Sequence, residues 1–143
     1  MQEEKLNDCE IQLRQMIDAY AEDVNNGLVR FYELEEGEEG EHYEAYSVKY
    51  IIDQDGEFSD VMILLAGGGP VVWLDTWARE VQGFWGSDKY SRHIYDFDYI
   101  LDFWEEMYSA TRYAGVRAIN ANIMIIWTLA IIIILILYIV ESD

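Results

Sequence analysis

The longest apolar stretch of the chain lies near its C-terminal end. Residues 118–140 contain no Asp, Glu, Lys or Arg, and apolar side chains fill nearly every position from Ile123 onward. As a helix, this segment would rise roughly 34 Å, against a hydrocarbon core of about 30 Å. A buried core helix is the less favoured alternative, because the rest of the chain is too short to surround it. The pattern predicts a transmembrane helix whose bilayer-facing anchor positions are Ile123, Trp127, Ile131, Leu135 and Tyr138.

The cations around this span predict its orientation. Arg112 and Arg117 precede the span, and no Lys or Arg follows it. Because basic residues are enriched on the cytoplasmic side, we expect the preceding part of the chain to be cytoplasmic. Residues 141–143 would then form an external tail, which gives the topology of a tail-anchored, single-pass protein.

The remainder of the chain, which we call the head (residues 1–117), begins and ends with helical periodicity. An apolar stripe at three- and four-residue steps predicts an N-terminal helix, and the sequence Asn25-Asn26-Gly27 is a good helix stop. Its apolar positions are Leu6, Cys9, Leu13, Met16, Ile17, Tyr20 and Val24. A second helix is predicted over residues 96–109, with Asp96 or Asp98 as its N-terminal cap. Its apolar positions are Phe97, Ile100, Leu101, Trp104, Met107 and Tyr108.

Between these helices, runs of β-branched and aromatic residues alternate with turn signals. Strands are predicted over residues 28–32, 43–52, 58–66, 71–76 and 80–85. Turns or connections are predicted at residues 53–56, 67–70 and 76–79, with a loop at 86–91. The order helix, strands, helix predicts an α+β fold, in which an antiparallel sheet of four or five strands carries its helices on one face. The predicted domains are an acidic α+β domain at 1–109, a linker at 110–117, the span at 118–140 and the tail at 141–143.

The head is strongly acidic. Two of the 28 Asp and Glu residues follow Val140 and all nine Lys and Arg precede Ala118, so the head carries 26 acids against nine bases, a formal charge of −17. Such a charge repels nucleic acid and anionic lipid surfaces and favours basic partners. We therefore expect no direct nucleic-acid binding. The lone Cys9 excludes an internal disulfide framework and a CxxC motif, and fits a reducing compartment.

A motif in the middle of the head resembles a known pattern. A Gly-Gly-Pro turn leads into an apolar–aromatic–apolar–Asp-Thr strand, and a second strand then ends in an aromatic residue and Gly. The residues are Gly68-Gly69-Pro70, Trp73, Asp75-Thr76, Gly83 and Trp85-Gly86, within the range 61–108. The pattern resembles that of small acidic proteins of phages and mobile elements in Firmicutes. The resemblance implies a mobile-element context rather than a particular activity. The apolar span departs from it, since those proteins are usually soluble.

The densest run of acids is the best candidate binding feature. Its carboxylates are Glu33, Glu35, Glu36, Glu38, Glu39, Glu41 and Glu44. One interpretation is an array that imitates the phosphates of a duplex and occupies the basic groove of a nuclease or restriction enzyme. The ordinary interpretation is a solvated loop, because most charge runs are solvated.

Trp77 is the best candidate for an exposed aromatic anchor at an interface. It lies at a predicted hairpin turn, and an exposed Trp is a frequent hot spot of protein–protein interfaces. The more ordinary interpretation is that Trp77 packs in the core with the other aromatic residues of the head.

The other motifs do not combine into catalytic or metal chemistry. Asp53, Asp55 and Gly56 match part of a calcium loop, but the later ligands are at the wrong spacing, so a hairpin turn is favoured. His42 and His93 have no Cys or His at metal-ligand spacing, and we expect the first to be solvated and the second to lie at a surface or edge. Residues 67–70 lack the Lys-Ser/Thr of a phosphate loop. We expect no enzyme activity, no metal and no cofactor.

The leading hypothesis is a non-enzymatic, tail-anchored protein whose acidic head binds a protein with a basic surface, inhibiting or recruiting it. The alternative places the function in the span, as a membrane effector or a subunit of an integral complex. In that case the span would pair with other transmembrane helices, or with its own copies in a homo-oligomer. The span has no GxxxG motif, which argues weakly against tight helix pairing.

Overall fold

A computed structural model describes residues 8–141, apart from the side chains of residues 137 and 139–141. Along the chain, one helix precedes the seven strands and a second helix follows them. The helices are α1 (Asp8–Asn25) and α2 (Asp98–Glu141). The strands are β1 (Val29–Arg30), β2 (Glu41–His42), β3 (Ser47–Ile52), β4 (Phe58–Ala66), β5 (Val71–Asp75), β6 (Glu80–Trp85) and β7 (Asp88–His93).

The main sheet has five strands in the order β3-β4-β5-β6-β7, and every neighbouring pair is antiparallel. This confirms the predicted α+β fold. The short strands β1 and β2 form a separate parallel pair, which the sequence did not predict. The predicted bounds of β4 and β6 are confirmed, and the predicted turns at 53–56, 67–70 and 76–79 connect consecutive strands of the sheet.

One face of the main sheet carries the core. Alternate residues of its central strands are fully or nearly fully buried, as expected for a sheet covered on one side. The sheet contributes Val61, Ile63, Leu65, Val72, Leu74 and Val81 to this core. The side chains that cover it come from α1, namely Leu13, Ile17, Ala21 and Val24, from Phe97 directly before α2, and from Ile100 and Trp104 in the first turns of α2.

Helix α1 ends as the predicted stop requires. Gly27 adopts a left-handed backbone with φ of 71°. Its N–H donates to the carbonyl of Val24 (3.1 Å), and the N–H of Leu28 donates to that of Asp23 (2.9 Å). These two bonds form a Schellman motif, which satisfies the last carbonyls of the helix. Of the predicted apolar stripe, Cys9 is exposed and Leu6 lies outside the described residues.

The predicted loop at residues 86–91 was wrong. A tight turn at Gly86 and Ser87 leads directly into β7, which pairs with β6 along its whole length. Polar residues dominate β7, because it is the edge strand of the sheet and buries little apolar surface. Its inward side is held by Tyr90, whose hydroxyl donates to Asp18 on α1 (2.9 Å).

The second helix is longer than predicted. The predicted helix at 96–109, the linker at 110–117 and the span at 118–140 all belong to the single helix α2, which begins at Asp98. The chain divides into two units, one up to Glu105 and one from Glu106. The second unit consists of the rest of α2. Within the described residues this helix is long and apolar enough to cross a membrane, and none of its apolar window is buried.

Candidate functional site

The acidic segment, which we call the acidic loop (residues 33–44), is held at its C-terminal end by backbone hydrogen bonds to residues that precede the loop. The N–H of Glu41 donates to the carbonyl of Leu28 (2.7 Å), and that of Tyr43 donates to the carbonyl of Arg30 (2.7 Å). Gly40 permits this close approach, because a Cβ there would lie 2.7 Å from the Leu28 oxygen. The loop is therefore attached to the residues that follow α1.

Glu38 organises the interior of the acidic loop. Its carboxylate accepts a hydrogen bond from the Tyr32 hydroxyl (2.6 Å) and another from the N–H of Glu35 (3.1 Å). These bonds stabilise the charged carboxylate, so they lower the pKa of Glu38, and the same phenol–carboxylate bond raises the pKa of Tyr32. One glutamate thus fixes the centre of the loop.

All seven candidate glutamates of the loop are exposed: Glu33, Glu35, Glu36, Glu38, Glu39, Glu41 and Glu44. His42 lies among them and is exposed, as predicted, but it is not merely solvated. Its Nδ1 lies 2.8 Å from the carbonyl oxygen of Tyr32, and its Nε2 lies 3.3 Å from a carboxylate oxygen of Glu44. The bond to the Tyr32 carbonyl is the larger cause, and the bond to Glu44 the smaller, of a raised pKa for His42.

Trp77 is exposed over 68% of its surface, so the packed interpretation was wrong. It lies in the tight β5–β6 turn, where the Asp75 carboxylate accepts a hydrogen bond from the N–H of Ala78 (2.9 Å) and Arg79 has φ of 58°. Trp77 lines a cleft with Asp60 and other residues, but no residue of the acidic loop lines it. The structure therefore does not join Trp77 and the acidic loop in one site.

An apolar cavity of about 350 Å³ adjoins the acidic loop, and the sequence did not predict it. Its walls come from the segment after α1 and from the first turns of α2. The apolar residues lining it are Val29, Phe31, Tyr32, Tyr99, Ile100 and Phe103. The available signal was the Phe31-Tyr32 pair directly before the acidic run, together with Tyr99 and Phe103 four residues apart on one helix face.

Aromatic contacts fix the walls of this cavity. The ring of Phe103 lies 6.1 Å from those of Phe31 and Tyr32, measured between centroids. Trp104 packs behind them, 5.3 Å from Phe31, and its buried indole N–H has no hydrogen-bond partner among the described groups. The Tyr99 hydroxyl donates to the carbonyl of Val24 (3.0 Å), which ties α2 to the end of α1.

The turn that begins at Asp53 and the exposed His93 are both found where the sequence predicted them. The carboxylate of Asp53 accepts hydrogen bonds from the N–H groups of Asp55 (2.9 Å) and Glu57 (3.0 Å), which confirms a hairpin turn. His93 is exposed at the end of the edge strand β7, as predicted. Across the described residues, no group of three or more His, Cys, Asp or Glu side chains could hold a metal ion.

The predicted anchor positions in α2 are all exposed, namely Ile123, Trp127, Ile131, Leu135 and Tyr138. An apolar helix with so much exposed surface needs an apolar surrounding, because water would contact it on every side.

Comparisons with known proteins do not assign the chain to a family. No family model matches the chain, and neither the curated proteins nor the solved structures contain a significant match. The resemblance to small acidic phage and mobile-element proteins therefore stays a prediction.

Proposed function

We propose that this protein is a membrane-anchored, non-enzymatic binding module that holds a protein with a basic surface. The acidic loop is the contact surface, and α2 is the anchor. Binding would inhibit the partner or recruit it to the bilayer.

The observation that carries this proposal is the organisation of the acidic loop. Its C-terminal end is held by backbone hydrogen bonds to Leu28 and Arg30, and Glu38 holds its centre. The other glutamates are exposed, so they are available to a partner. A pre-organised array loses less conformational freedom on binding than a mobile charged loop would, which favours a binding role over mere solubility.

The charge of the head supports a basic partner. A formal charge of −17 steers a basic protein toward the head and raises its association rate. A nuclease or another nucleic-acid-binding protein is one class of partner that presents a basic surface, and an anti-defence role in a phage or mobile element would use such an inhibitor. Arg112 and Arg117 support a cytoplasmic head.

A co-precipitation experiment tests this function. The full-length protein in detergent serves as bait, beside a variant in which Glu35, Glu36 and Glu39 are replaced by Gln. We expect the wild type to recover a basic protein at low salt, with recovery falling sharply above physiological ionic strength, where the Debye length is about 8 Å. The variant should recover roughly tenfold less, because it loses three steering charges.

The matched control removes equal charge elsewhere. Replacing Asp102 and Glu105 by Asn and Gln, together with Glu106→Gln, also changes the net charge by three, but on α2. This control should retain most of the recovery. Equal losses in both variants would contradict a role for the loop and leave only a general charge effect. Recovery that is insensitive to salt would contradict an electrostatic partner.

A second candidate function rests on the exposed surface of α2. Its apolar residues from Ile123 to Ile136 are almost all exposed, so they could pack against other transmembrane helices. Replacing residues 118–140 by an unrelated span separates the two functions. Activity that survives the exchange supports the acidic loop, and activity that is lost supports the helix.

A further inference from the structure

We infer that the apolar cavity beside the acidic loop is an anchor pocket for one large apolar side chain of a basic amphipathic helix in the partner. This inference rests on the proposed function and adds to it the chemistry of the partner segment. It also replaces Trp77 as the predicted hydrophobic anchor of the contact.

The size and lining of the cavity suit a side chain. Its volume of about 350 Å³ is at the lower end of the range for ligand pockets, roughly 300–1,000 Å³. Aromatic and aliphatic groups form most of its walls, and the rings are those of Phe31, Tyr32, Tyr99 and Phe103. Such a pocket gives the desolvated surroundings in which interface hot spots occur.

The acidic surface continues directly from the mouth of this cavity. Tyr32 lines the apolar cavity and also lines a separate concave surface formed by Glu33, Glu35, Glu36 and Glu38. The Tyr32–Glu38 hydrogen bond of 2.6 Å joins the two surfaces. A matching partner therefore needs an apolar side chain with basic side chains close beside it. An amphipathic helix presents that arrangement, since residues three and four apart share a face.

The acidic loop beside the cavity disfavours an anionic amphiphile as the occupant. Among the described residues, the cation that lines the cavity is Arg30, which is part of its wall: its Nη1 donates to the carbonyls of Gly27 (2.7 Å) and Val29 (2.9 Å). Its guanidinium also lies over the ring of Tyr99, 5.5 Å from the centroid. A fatty acid or an anionic lipid at the mouth would instead meet the carboxylates of the acidic loop, so the potential favours a cationic segment.

Two peptides of equal charge test the inference. One is a helical peptide of about 15 residues, built from Lys and Ala with a single central Phe, and the other carries Ala in place of that Phe. Each is titrated onto the full-length protein in phosphatidylcholine nanodiscs, and empty nanodiscs report background binding. We expect the Phe peptide to bind about tenfold more tightly, because burying its ring adds favourable apolar contact.

Two variants on α2 localise this preference. In Phe103→Ala, which removes a wall of the cavity, the preference for the Phe peptide should fall below about threefold. In Leu101→Ala, which changes a half-buried residue that lines a different cleft, the preference should persist. Intermolecular nuclear Overhauser effects from the peptide ring to the methyl groups of Val29 or Ile100 provide a measurement on the unmodified protein, should Phe103→Ala fail to fold.

The anchor pocket and the proposed function can be contradicted independently of each other. Equal affinities of the two peptides, with no Overhauser contacts to Val29 or Ile100, would overturn the anchor pocket and leave the proposed function intact. A preference for the Phe peptide that Leu101→Ala abolishes as fully as Phe103→Ala would also overturn it. The proposed function is tested separately by co-precipitation: it fails if the acidic-loop variant recovers as much basic protein as the wild type, if the charge-matched control loses as much, or if recovery does not depend on salt.

Discussion

The packing of α1 on the sheet depends on a residue without a side chain. Gly83 lies in β6 on the covered face of the sheet, directly beneath α1. A Cβ at this position would lie 2.6 Å from Cδ1 of Ile17 and 2.8 Å from Cδ1 of Leu13. Both of these side chains are fully buried, so they have little room to move.

We therefore expect Gly83→Ala to lower the free energy of unfolding by about 1–3 kcal/mol, the usual cost of overpacking a core. Denaturant unfolding of the full-length protein would measure it. The matched control is Gly69→Ala, since a Cβ at Gly69 meets no atom within 4 Å and its backbone is not left-handed. An unchanged or increased stability of Gly83→Ala would show that α1 shifts to accommodate the methyl group.

His42 gives the acidic loop a pH dependence near neutrality. The carbonyl of Tyr32 first, and Glu44 second, raise the pKa of His42 above its ordinary value of 6.5. A raised folded-state pKa contributes stability that is fully present below pH 6.5 and is lost as pH rises through the folded pKa. Titration of the His42 ring by NMR should give a pKa above 6.5, and Glu44→Gln should lower it partway. An apparent pKa at or below 6.5 in the wild type would contradict the contacts of this ring with Tyr32 and Glu44.

At the scale of elements, the strands with buried faces could be predicted from the sequence, and the edge strand could not. Residues 58–66 end in a continuous apolar run from Val61, and residues 80–85 place Val81 between polar neighbours; in both strands burial alternates because one face meets the core. In β7 both faces are largely polar, and only its pairing with β6 makes it a strand. Pairing depends on a neighbour in space, so local periodicity did not reveal it.

The candidate site could be predicted only in part, because some of its contacts also join residues that are distant in sequence. Charge density alone located the acidic loop, but the carboxylate that fixes it depends on a contact between Tyr32 and Glu38 six residues apart. The apolar cavity required Phe31 and Phe103 to meet across more than 70 positions of sequence. Local patterns carry no information on such contacts. For Trp77 the general tendency of Trp to be buried gave the wrong expectation, because this residue lies in a tight turn and is exposed.

Helix α2 is the element whose predicted insertion into a membrane is most directly testable. Replacing Trp127 and Ile131 by Lys places two charges near the middle of the span, and each costs about 2.5–3.5 kcal/mol on insertion scales. We expect the double variant to be released from membranes by alkaline extraction, whereas the wild type should resist it. The control variant carries Ala110→Lys and Ala114→Lys, with the same spacing but before the span, and should stay in the membrane fraction.

At the scale of the whole molecule, the charges are separated from the apolar surface along the chain. The head contains 26 of the 28 acids and all nine Lys and Arg, while residues 118–140 contain none of either. A head of this charge is repelled by anionic lipid surfaces. In the proposed function, in which α2 is the anchor, this repulsion favours contacts of the acidic loop with soluble basic proteins.

The same charge distribution predicts the side of the membrane on which the head lies, and labelling of Cys9 tests that prediction. Arg112 and Arg117 precede the span, so we expect a cytoplasmic head. Cys9 is exposed on α1 and is the one cysteine of the chain. A membrane-impermeant maleimide should therefore label the protein in inverted vesicles but not in intact cells. The control variant, Cys9→Ser with Ser142→Cys, should show the reverse pattern. Labelling of Cys9 in intact cells would place the acidic loop outside, where extracellular proteins, and not cytoplasmic nucleic-acid-binding proteins, would be the basic partners to test.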